Sequence, residues 1–83
     1  PAIEARIDRA AAYLGIAGGY EGFCTYVDTL NASLGIPAGL TALGVRDPDI
    51  SRIVAGALAD PSCGGNPVPL TKANLTALLR DCL

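Results

Sequence analysis

The chain has 83 residues, of which 51% are hydrophobic and only four are aromatic (Tyr13, Tyr20, Phe23 and Tyr26), which leaves room for one small domain with an aliphatic core over 1–83. Its net charge is -2, and the scattered basic residues Arg6, Arg9, Arg46, Arg52, Lys72 and Arg80 argue against a nucleic-acid partner, which needs clustered cations. No apolar run approaches the ~18–20 residues that span a bilayer, and Glu4, Arg6, Asp8 and Arg9 interrupt any signal-peptide pattern, so a cytoplasmic chain with no membrane partner is expected.

The first element is a helix over about 2–14. Ile3, Ile7, Ala10, Ala11 and Leu14 fall on one face, the three alanines raise helix propensity, and Gly15 stands where a left-handed C-cap costs a glycine little. Gly18 and Gly19 break the pattern. The second stripe is Phe23, Val27, Leu30 and Leu34, with Tyr26 beside it; Gly35 ends that helix as Gly15 ends the first, Ile36 follows where a Schellman-type turn places an apolar contact, and Pro37 blocks continuation. Leu40 to Leu43 reads as a single helical turn ended by Gly44. Asp47-Pro48 starts the third helix, with Asp47 as the capping side chain and Pro48 at the first helical position. Its inner face is Ile50, Ile53, Val54, Ala57 and Leu58, and Asp60-Pro61 stops it. Residues 60–70 carry three prolines and two glycines, which exclude a regular helix or a central strand. Thr71 caps a last helix bearing Leu75, Leu78, Leu79 and Cys82. No run of period two appears. The expected fold is all-α: about four amphipathic helices plus one short helical turn, in a compact orthogonal or bundle-like array. Each helix offers one stripe for burial, and any large apolar patch left outside would mark a partner surface.

The residue types needed for several chemistries are missing. With no His, a catalytic zinc or non-haem iron site has no imidazole ligand, and neither a Ser-His-Asp nor a Cys-His arrangement can be assembled. There is no G-x-G-x-x-G or Walker A loop. Cys24, Cys63 and Cys82 form no C-x-x-C pair and read as reduced thiols. The carboxylates read as caps or solvated faces. No catalytic, cofactor-binding or metal-binding residue is therefore assigned. Asp28-Thr29-Leu30 resembles the Asp-Ser-Leu attachment site of acyl carrier proteins, which are also small, acidic and helical. Here the hydroxyl is Thr29, placed inside the second helix, where it more naturally bonds back to the preceding turn.

Longer motifs carry a second resemblance. Leu34-Gly35-Ile36-Pro37, then Leu40, Leu43-Gly44-Val45 and Asp49-Ile50, then Ala57-Leu58-Ala59-Asp60, Cys63-Gly64-Gly65-Asn66-Pro67 and Pro69-Leu70-Thr71 resemble, in order and spacing, the C-terminal helical region of the iron-containing (group III) alcohol dehydrogenases. The likeness is detailed over 34–83 and looser over 1–33. It implies an oxidoreductase acting on alcohols and aldehydes, with NAD(P) held in an N-terminal α/β domain and a divalent metal, commonly iron, held by one Asp and three His upstream of the portion represented here. In that family the loop before Asn-Pro runs past the substrate pocket, which makes Ser62, Cys63 and Asn66 the candidate pocket residues. The family often has Cys where this chain has Ser62 and Thr where it has Cys63. The blander role for Asn66 and Pro67 is to fix the turn into the last helix. The resemblance makes this chain a fragment that is inactive alone, partnered by the missing metal-binding portion. The alternatives are a free-standing interaction module or homo-oligomer, and more remotely an acyl-carrier-like protein. Pro1 fits either removal of an initiator Met or excision from a longer protein.

Overall fold

The computed structural model describes residues 3–83, so Ala2 at the start of the expected first helix lies outside the described residues. Among the described residues the fold is all-α. Four α-helices, α1 (Glu4–Tyr13), α2 (Gly19–Ser33), α3 (Ile50–Ala59) and α4 (Lys72–Asp81), are accompanied by 3₁₀ turns at Leu40–Leu43, Asp47–Asp49 and Pro61–Gly65. One short turn was expected where three are found. The two additional ones each contain a proline, Pro48 or Pro61, whose fixed φ and missing N–H suit a tight i→i+3 turn. No described helix is long and apolar enough to cross a membrane. The chain divides into two compact units, Pro1–Ile36 and Pro37–Leu83.

In the first unit α1 and α2 pack on each other. Ala11, with no exposed surface at all, sits at the contact, and a methyl side chain there lets two helices approach closely. Ile7, Ile16, Phe23 and Val27 are half-buried around it. Helix α1 closes on a full Schellman motif: the Ile16 N–H donates to the Ala11 carbonyl (2.9 Å) and the Gly15 N–H to Ala12 (3.2 Å), with Gly15 at φ +75°. Helix α2 repeats the device, with Ile36 donating to Asn31 (3.0 Å) and Gly35 to Ala32 (3.1 Å). At its start α2 has Gly18 as N-cap, without a side chain to cap it. Asp8 reaches across from α1 instead, and its Oδ1 accepts the Tyr20 N–H; a carboxylate there also suits the positive end of the helix dipole. One turn on, Tyr20 lies next to Cys24, which together with nearby Glu4 and Glu21 pushes the phenol above its ordinary pKa.

Much of the expected apolar stripe stays outside this unit's interior. Leu14, Leu30 and Leu34 are exposed, as is Tyr26 beside the second stripe; Tyr13, off the expected stripe, is 91% exposed. For Leu30 and Leu34 length supplies the reason: α2 has 15 residues and its partner α1 has 10, so at about 1.5 Å per residue the end of α2 runs past the helix it packs on.

In the second unit the core is Ile50, Val54 and Leu75, with Ala57, Leu70, Leu79 and Leu83 packed against it. Ile50, Val54 and Ala57 follow the i, i+4, i+7 stripe of α3. Leu58 and Leu78, expected on inner faces, are exposed; each stands to one side of its helix's buried stripe. The start of α3 also differs from expectation. Asp49 Oδ2 takes the Arg46 N–H (2.9 Å), while the side chain of Asp47, the expected cap, receives the Arg80 Nε–H (3.1 Å). The far end of α4 is pinned to the Leu40–Leu43 turn: the Leu40 N–H donates to the Cys82 carbonyl (2.7 Å) and the Thr41 hydroxyl to that of Leu83 (2.7 Å).

Candidate functional site

The segment joining α3 to α4 contains all three candidate residues, and its shape follows from local bonds. Asp60 ends α3 with extended backbone, and its Oδ1 accepts the Ser62 N–H at 2.7 Å. That bond, helped by the Ser62 hydroxyl, holds the Asp60 carboxyl below its ordinary pKa. Pro61 opens the 3₁₀ turn, and the Cys63 N–H closes it on the Asp60 carbonyl (3.0 Å). Asn66 then folds the chain back, its Nδ2 donating to the Val68 carbonyl (2.6 Å). The segment is seated on α4 from below by Asn74, whose Nδ2 donates to the Pro69 carbonyl (2.9 Å). Asn74 also shares a reciprocal cap with Thr71: Thr71 N–H to Asn74 Oδ1 at 2.8 Å, and Asn74 N–H to Thr71 Oγ1 at 3.2 Å.

Two hollows flank this segment. One, of about 500 Å³, is lined by Ser62, Cys63 and Asn66 with Ala57, Asp60, Gly65, Pro67 and Leu70. The other, of about 390 Å³, is lined by Cys63 and Asn66 with Leu58, Gly64, Pro67, Val68, Pro69 and Leu70. The three sequence candidates therefore share one hollow, and Cys63 and Asn66 also face the second. Cys63 is half-buried and free, as is Cys24; Cys82 is exposed and free. Leu58 and Val68 were not singled out by the sequence as pocket residues. A helical stripe assigns Leu58 to the core, and nothing in a proline-rich segment signals which side chains its fold will bring beside that helix.

Asp60 is the carboxylate beside Ser62, and its Oδ1 is engaged by the Ser62 N–H at 2.7 Å. With no His in the sequence and no group of three His, Cys, Asp or Glu side chains placed to hold a metal ion among the described residues, the residues present do not fit an iron site. Thr29 lies well inside α2, away from the helix start that a carrier attachment site occupies.

No curated protein and no solved structure gives a match to this chain. The family model for the C-terminal region of the Fe-containing alcohol dehydrogenases matches residues 2–83. With nearly every residue inside that match, the chain belongs to the Fe-containing alcohol dehydrogenase family, as its C-terminal part.

Proposed function

We propose that residues 1–83 work as one C-terminal helical domain of an NAD(P)-linked, iron-containing alcohol dehydrogenase, and that the metal, the dinucleotide and the hydride chemistry belong to a portion outside this sequence. The observation that carries the reading is the family match over 2–83 in a chain with no His. In this role the α3–α4 segment forms part of the substrate cleft wall, with Ser62, Cys63 and Asn66 facing it and Asp60 and Asn74 holding its shape. No step of the reaction is assigned to a side chain of this polypeptide. The exposed Tyr13, Leu14, Tyr26, Leu30 and Leu34 support a covering partner, for which the metal-binding portion of the same enzyme is the natural candidate.

The test is complementation. The 83-residue chain is mixed with an iron-containing alcohol dehydrogenase shortened to lack its own C-terminal part, and alcohol-dependent NAD(P) reduction is followed at 340 nm, a wavelength chosen for the reduced nicotinamide. Restored turnover in the mixture, with none from either piece alone, is expected. Turnover by this chain alone with added iron and NAD(P) overturns the proposal.

The same exposed side chains favour a second reading, a free-standing module that buries them in a two-fold dimer. Light scattering separates the two: a monomer at all accessible concentrations removes the dimer.

A further inference from the structure

We draw no further inference here: the strongest candidate, the hollow between the start of α3 and α4 lined by Asp47, Ser51, Lys72, Thr76 and Arg80, carries nothing, since Arg80 is already paired with Asp47 and no second feature of the hollow points to a ligand.

Discussion

Gly22 and Gly56 both lie inside α-helices, where glycine costs roughly 0.5–1 kcal/mol relative to alanine. Their surroundings give opposite outcomes on substitution. A Cβ on Gly22 would overlap the Ala17 carbonyl oxygen, a backbone atom that cannot swing aside, whereas a Cβ on Gly56 meets nothing within 4 Å. Gly22→Ala is expected to destabilise by about 2 kcal/mol or more, and Gly56→Ala to stabilise by about 0.5 kcal/mol. Urea unfolding followed by circular dichroism checks both; equal effects would contradict the packing described for α2.

Asp60 gives a pH dependence at the same scale. Its folded pKa lies below the unfolded one because the Ser62 N–H, then the Ser62 hydroxyl, favour the charged form. The resulting stabilisation is present above the unfolded value and is lost as pH falls through the folded one. The Ser62 amide resonance is therefore expected to hold its folded position down through the ordinary aspartate range and to shift only below it. Ser62→Ala keeps the backbone donor, so it raises the midpoint only part of the way, whereas a full return to the ordinary value would mean the hydroxyl is the main cause.

Among the elements, the start of α4 rests on one side chain more than on its nominal cap. The Thr71 side chain makes one bond, accepting the Asn74 N–H, while the Asn74 side chain makes two, accepting the Thr71 N–H and donating to the Pro69 carbonyl. Loss of an N-cap costs about 1 kcal/mol. Asn74→Ala is expected to exceed that and to loosen the 66–70 segment, whereas Thr71→Ala stays near it. Because the two side chains share a reciprocal pair, the double variant should cost less than the sum. Thermal unfolding of the four proteins of this cycle measures the coupling.

The helix ends were legible from the sequence because they are local. Gly15 and Gly35 followed by isoleucine, and Thr71 ahead of Lys72, each fix their own turn with neighbours a few residues away. Burial was less legible. Periodicity places Leu30, Leu34, Leu58 and Leu78 on apolar faces, but whether a face is covered depends on the partner's length and on irregular chain. Asp47 illustrates the same limit: its local signal is a cap, and a cation 33 residues away draws its side chain elsewhere.

For the whole molecule, the ordered motifs over 34–83 pointed to the family that the match over 2–83 shows, and the absence of His was legible before any coordinates. The arrangement of Ser62, Cys63 and Asn66 around one hollow was not derivable from those motifs, since it depends on Asp60, Asn66 and Asn74 folding a proline-rich segment. The donor inventory yields a direct expectation. The purified chain in anaerobic ferrous solution should take up no stoichiometric iron by elemental analysis after desalting; one tightly held ion per chain would mean that carboxylates and thiols assemble a site that the described geometry lacks.

The left-handed glycines that follow helical segments, Gly15, Gly35 and Gly44, have a consequence for any re-engineering of this chain. Each stands in open space, with nothing for a new methyl group to strike, so bulk does not bar substitution there. Handedness does: an L-residue in that conformation costs roughly 1–2 kcal/mol, while a D-alanine introduced by chemical ligation is at ease in it. These three corners of the backbone are thus places where the mirror-image building block fits better than the natural one.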